Sequence, residues 1–473
     1  MTQPAIYAII ILYWFTEILI YERIPQMTST KKRNRLVSSF FRDTSELSDT
    51  QNRVLNRYTY TIVSTTMVCM LGIMLFYVFA LASMYHNQQS GPALWLLSIF
   101  SDFVEIMNFS LEETPHISAG SSYPPIAIII LYPFAYICKD VFAQYAHEAM
   151  DIDTLTSLVV RHVEFWIAIV LFFVVCISAI VILASKIGKF KPIPSLKLSL
   201  IICCSSPFVY AIMRGNTIYF ALIFVLLFLL FYNSDKPWLR EIAYISLAIA
   251  GAIKIYPLFF GVFLLRNKKF FPVVRVAVYF LLLFFISFKF FPEQQGAMGS
   301  FSENLQGFMF DPERLSCFRN LSITAMLYKL VALFSPVATE SLAFAIVNIV
   351  ILATTFALSV ITALYTRSNF SRLVICFTII ILIPSVTYFY VLVFAIIPFI
   401  EYLRSYDSLD RTTQRLYGFM FMFLLLTPVL LPLIYLPHAL IVLFMAVLEI
   451  LRVFKQEIIP DYKEKKSKSA EIN

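Results

Sequence analysis

Charge is what this sequence has least of. Only 14% of its 473 residues are Asp, Glu, Lys or Arg, whereas 60% are hydrophobic, with 47 Phe and 26 Tyr. A soluble chain of this length needs far more charge, so the composition implies a protein that crosses a membrane many times. Metal-ligating patterns are missing too. The five His are scattered, six Cys (Cys69, Cys138, Cys176, Cys203, Cys204, Cys376) sit in apolar runs, and Cys317 stands alone in a polar loop. None has zinc spacing, and no disulfide is expected. The N-terminus has no basic n-region and no small-residue cleavage site, so no removable signal peptide is expected. No nucleotide-binding motif is present. The net charge of +8 does not imply nucleic acid, because it is concentrated in short segments, as topology selection requires.

One loop lacks basic residues altogether. Met84–Tyr123 carries Asp102, Glu105, Glu112 and Glu113 and neither Lys nor Arg. The preceding polar stretch, Tyr21–Arg57, is rich in Lys and Arg and reads as cytoplasmic; the apolar Thr59–Ser83 then carries the chain out. Pro4–Ile20 is apolar and about one membrane thickness long.

Further along, Phe165–Ser185, Leu198–Met213, Thr217–Tyr232, Val276–Phe291 and Ser341–Thr366 read as spans. Ile242–Leu265 holds Lys254 at its centre beside Pro257 and reads as a broken helix or a hairpin of half-helices. Leu373–Ile400 and Leu416–Leu448 are each too long for one span, are interrupted by prolines, and read as helix pairs. Pro125–Cys138 is too short for a full span, and full crossings there and at Leu321–Val337 would invert the charge pattern. They are expected to dip in and return, which is tolerated where backbone lines a cavity. The expected architecture is an all-α polytopic membrane protein of about 10–13 membrane segments. Residues 1–57 form an N-terminal segment and basic stretch, 58–451 the membrane domain, and 452–473 a basic cytoplasmic tail.

Asp102 is the first charged residue after Arg57 and is followed by apolar residues. Spacing alone divides evenly between a catalytic base at the outer mouth of the protein and an acid that merely biases topology. Lys254 is more informative. A mid-membrane ammonium costs on the order of 3 kcal/mol, so it normally faces a cavity or a partner, and it can bind phosphate as a point charge. That reading is favoured over snorkelling beside Pro257. Arg214 is either an outer anchor or a phosphate clamp.

These residues occur in an ordered set: Asp102-Phe103; Tyr123-Pro124-Pro125; Ser206-Pro207 with Arg214-Gly215-Asn216; Lys254-Ile255-Tyr256-Pro257 before Arg266-Asn267-Lys268-Lys269; and Asn320-Leu321-Ser322. The set resembles glycosyltransferase family 87, the polyprenol-phosphate-mannose-dependent mannosyltransferases of the C-type superfamily, over Thr59 to Ile400. One departure is Asn216, where members often carry Gln. The resemblance implies a C-type glycosyltransferase-like fold and inverting transfer of a hexose, mannose by family expectation. The donor would be a polyprenyl-phosphate sugar and the acceptor a lipid or glycan, on the extracytoplasmic side and without a metal or cofactor. It implies Asp102 as general base. Lys254 and Arg214 would face the donor phosphate, with Glu105, Tyr123, Asn216, Tyr256 and Asn320 as further substrate-binding candidates. A transporter or flippase of lipid-linked glycans would also use a mid-membrane Lys, but no corresponding half-sequences are found. A glycan polymerase would call for more basic residues than the Arg314 and Arg319 of the loop Pro292–Arg319.

Overall fold

The computed structural model describes residues 46–87, 99–145, 151–266, 270–291, 296–426 and 435–460, with the side chains of 70–87 and 435 excepted. The Pro4–Ile20 segment, most of the basic stretch after it and the last residues of the tail lie outside that set. What is described is mostly helical. An isolated antiparallel β-bridge joins Asn320 and Tyr388.

Among the described residues, five helices are long and apolar enough to cross a membrane: Val163–Gly188, Phe270–Phe290, Leu342–Tyr365, Phe389–Ser408 and Leu436–Ile458. A sixth crossing is available to Pro192–Cys204 and Ser206–Arg214, which meet at a 55° bend. The protein is therefore a multi-pass helical membrane protein. Four further apolar helices, Ile218–Phe231, Tyr256–Arg266, Ile323–Phe334 and Asn369–Leu382, are shorter than the roughly 20 residues a full crossing needs.

Prolines set most of the breaks. Pro257 would drive its ring into the carbonyl of Ile253, and the helix Pro237–Ile253 stops there. Lys254 follows in extended conformation (φ −146°, ψ 124°), and the chain resumes as a 3-10 turn over Tyr256–Gly261. This is the break expected at Lys254. The two helix pairs also form as expected, Asn369–Leu382 before Pro384 with Ile396–Ser405 after it, and Arg411–Leu426 with Tyr435–Val453. Leu198–Met213, read as one outward run, is instead divided at Ser205. Pro207 cannot follow the Pro192–Cys204 helix, because its ring would meet the carbonyl of Cys203. Pro125–Cys138 forms two short helices, Pro125–Ile129 and Tyr132–Ile137, neither of crossing length.

Burial follows composition. Ile218–Phe231 is apolar on every side, and its side chains from Ile218 to Phe228 are all buried against Val163–Gly188 and Pro237–Ile253. Leu342–Tyr365 is also apolar but lies at the periphery, with Leu342 76% and Ile349 64% exposed, as a lipid-facing helix requires.

The segment after Pro384 is held by Asn320 together with Ser322, whose hydroxyl donates to the carbonyl of Ser385 at 2.7 Å. Asn320, 1% exposed, donates its amide to the carbonyls of Arg314 (3.2 Å) and Ser385 (3.0 Å). Its carbonyl oxygen accepts from the backbone N–H of Ser322 (3.1 Å) and Thr387 (3.0 Å). Replacing Asn320 with Ala strands these buried groups. We predict a loss on the order of 3 kcal/mol, read as a lower thermal midpoint of the detergent-purified protein.

Candidate active site

Asp102 stands in the first turn of the helix Ser101–Leu111. Phe100 precedes it in the left-handed region (φ 68°), a conformation with a real cost for an aromatic residue. Two interactions hold Phe100 there. Its N–H donates to the carbonyl of Met213 at 2.6 Å, and its ring packs on Phe165, Trp166 and Phe173. The start of the Asp102 helix is thereby fixed to the end of Ser206–Arg214.

That neighbouring helix ends at Gly215, also left-handed (φ 64°). A Cβ on Gly215 would lie 2.4 Å from the Cβ of Phe103, so glycine is required both by the backbone and by the close approach. The residues on either side of Gly215 both reach Asp102. Arg214 Nη2 forms an ion pair with Asp102 Oδ1, and Asn216 Nδ2 donates to Oδ2 at 2.7 Å. Asn216 in turn accepts from the backbone N–H of Ile218 at 3.0 Å, capping the buried central helix. Asp102 is only 4% exposed, and both of its oxygens are engaged.

Glu105 lies one turn further along the same helix face. Tyr123 Oη approaches its Oε2 at 3.5 Å, the outer limit for a hydrogen bond. No cation pairs with Glu105 at ion-pair distance among the described residues. Burial, then the nearby Asp102 charge, push its carboxyl from 4.5 up to about 7. Lys254 Nζ sits 5.0 Å from the centroid of the Tyr123 ring, on the broken segment, and is close enough to Asp102 and Glu105 to interact with both charges.

These side chains border a cavity of about 370 Å³, at the lower end of the usual range for small-molecule sites. Asp102, Glu105, Tyr123 and Arg214 form one wall. The second wall comes from the helix Ala297–Phe310 and the turn after it, through Asn304, Gly307, Phe308, Asp311 and Arg314. There Arg314 pairs with Asp311 at 3.2 Å and lies 4.0 Å over the Phe308 ring. Asn304 ties this wall to the acidic loop by donating to the carbonyl of His116 at 2.8 Å. His116 itself is buried among Phe288, Phe291 and Phe301. Tyr388 and Tyr390 make the third wall.

The eight residues singled out in the sequence thus divide. Asp102, Glu105, Tyr123 and Arg214 line the cavity, and Asn216 holds Asp102 from behind. Lys254 stands behind Tyr123, while Tyr256 packs edge-on to Phe394 (6.4 Å). Asn320 does not line the cavity; it fixes the backbone of Arg314 and Thr387, beside two lining residues. Sequence reasoning passed over Arg314, Tyr388 and Tyr390. Arg314 was visible as one of two basic residues in its loop. The tyrosines follow Pro384-Ser385 in a run of aromatics, which carries no signal until the fold turns it inward.

The family 87 glycosyltransferase profile matches residues 122–385, more than half of the chain. The chain belongs to glycosyltransferase family 87. No curated protein and no solved structure matches it. The matched stretch includes Tyr123, Arg214, Asn216, Lys254, Tyr256 and Asn320 of this family 87 member. Asp102 and Glu105 lie just before it, brought to the same cavity by the contacts at Phe100 and Gly215.

Glu105 generates a test with a defined sign. A carboxyl whose pKa is raised on folding adds stability that is complete below pH 4.5 and is lost as pH rises through about 7. We predict that wild-type stability falls across this window by about 3 kcal/mol at full ionisation, read as a lower thermal midpoint, and that Glu105→Gln flattens the fall. Thermal unfolding at stepped pH checks it; equal slopes in the two proteins would remove the raised Glu105 from the account.

Proposed function

We propose that this family 87 glycosyltransferase moves a hexose, mannose by family expectation, from a polyprenyl-phosphate donor to a lipid or glycan hydroxyl. The observation that carries this reading is a buried carboxylate and an arginine facing one sugar-sized cavity, in a bundle whose outer helices face lipid. A lipid-linked donor fits that setting. Its prenyl chain can remain in the bilayer while the phosphate and sugar enter among polar side chains. By the charge pattern of the loops, the cavity faces the extracytoplasmic side and the C-terminal tail the cytoplasm.

In the proposed reaction Asp102 accepts the proton of the acceptor hydroxyl as its oxygen attacks the anomeric carbon. The bond from that carbon to the phosphate oxygen breaks, and its electron pair leaves with the polyprenyl phosphate. Attack opposite the leaving group inverts the anomeric centre. Arg214 and Lys254 neutralise the charge that develops on the leaving phosphate. Tyr123 orders Glu105 at the acceptor side, and the aromatic wall of Tyr388 and Tyr390 offers flat surfaces to the sugar.

Two outcomes are expected. Asp102→Asn should fold and insert but lose transfer of labelled sugar from polyprenyl phosphate mannose by roughly a hundredfold to ten-thousandfold, the usual contribution of a general base. Transfer retained at equal expression would move the base to another group, with Glu105 next. Lys254→Ala should raise the donor KM by roughly tenfold while leaving the acceptor KM nearly unchanged, because its role is with the phosphate. An unchanged donor KM would remove Lys254 from phosphate binding.

A further inference from the structure

In this structure the proposed base is not free. Asp102 accepts a charge-assisted bond from Arg214 on one oxygen and an amide bond from Asn216 on the other. Both carboxylate oxygens are thus already engaged before any hydroxyl arrives. The two partners differ in mobility. Asn216 is fully buried, and its own oxygen is fixed by the N–H of Ile218, so it cannot leave without uncapping the central helix. Arg214 is a long side chain, 28% exposed against 6% for the Asp102 side chain, and it borders the cavity. Its guanidinium has five N–H donors in a planar fork that suits phosphate oxygens.

We infer that Asp102 and the donor phosphate compete for the Arg214 guanidinium, so that the base is held by its own arginine until the donor enters and draws that arginine away. The inference rests on the function proposed above and adds an order to it. In the empty site Arg214 neutralises Asp102. When the donor arrives, its phosphodiester takes the guanidinium, and Asn216 keeps the released carboxylate aimed at the cavity. The acceptor hydroxyl then meets a free base. After transfer the polyprenyl phosphate, now a monoester with greater charge, holds Arg214 until it departs. Asp102 sheds its proton to solvent, and the ion pair re-forms. An acceptor that enters first meets no competent base, so productive binding runs donor before acceptor.

Binding of polyprenyl phosphate to the full-length protein in lipid nanodiscs tests this without knowledge of the acceptor. Asp102→Asn leaves Arg214 unclaimed and should bind polyprenyl phosphate roughly tenfold more tightly than wild type, whereas Arg214→Gln should bind roughly tenfold more weakly. Glu105→Gln alters a neighbouring carboxyl that makes no ion pair with Arg214, and should change affinity less than about threefold. In the Arg214→Gln background, Asp102→Asn should give no further gain. Infrared difference spectra should show a carboxylate band that moves on adding polyprenyl phosphate and is missing from Asp102→Asn. Affinity unchanged or weakened in Asp102→Asn would overturn the inference, as would a gain that survives without Arg214 or is matched by Glu105→Gln. The transfer assay keeps the two readings apart. Loss of transfer in Asp102→Asn without tighter phosphate binding sinks the competition alone. Tighter binding with transfer retained supports the shared guanidinium and sinks the base.

Discussion

The contact on which the site depends is the one between Asp102 and the pair Arg214 and Asn216. A carboxylate shut away from water is stable only when it is paired and hydrogen-bonded. Here the partners come from a helix end more than a hundred residues away, so the pairing also fixes the relative position of two segments that share no local connection. Several local features exist to make it reachable. The left-handed Phe100 turns the Asp102 helix into place, and the missing Cβ of Gly215 lets that helix come close. The bend at Ser205 brings Arg214 to the cavity. Loss of any one would leave a buried charge short of a partner, a cost of several kcal/mol.

The other two walls are built on different physics. The side that carries Tyr388 and Tyr390 has no regular secondary structure of its own at Pro384–Thr387 and is held by the Asn320 amide, the Ser322 hydroxyl and the N–H of Leu321. The side that carries Arg314 depends on a buried aromatic cluster around His116 and on the donation from Asn304. Three independent devices, an ion pair, an amide clip and an aromatic cluster, therefore meet around one cavity.

How much of this was legible in the sequence follows from range. Where a proline acts on the residue four before it, the sequence is sufficient. The break at Lys254 and the helix pair after Leu373 were read correctly from such local clashes; the stretch between the helices of the pair after Leu416 lies outside the described residues. At Pro207 the same clash operates, but the surrounding run is so evenly apolar that it reads as one span. The acidic loop announced Asp102 and Glu105, because a lone acid in apolar company is unusual. It could not announce that Asp102 is paired and Glu105 is not, since the pairing is made across the fold. Asn320 was chosen as a substrate ligand on resemblance and turns out to grip backbone. Tyr388 and Tyr390 gave no signal, and Arg314 stood out only as one of two basic residues in its loop, for all three become neighbours of Asp102 only when the bundle closes.

The buried central helix Ile218–Phe231 has 14 residues, about 21 Å at the usual rise, against a hydrocarbon core of about 30 Å. Its first residue is tied through Asn216 to Asp102, so the proposed base is held at one end of a column that is shorter than the membrane. In the proposed reaction such a column would let a lipid-borne phosphate reach the carboxylate with little lift out of its leaflet, whereas a soluble acceptor would have to descend. Depth itself would then sort substrates.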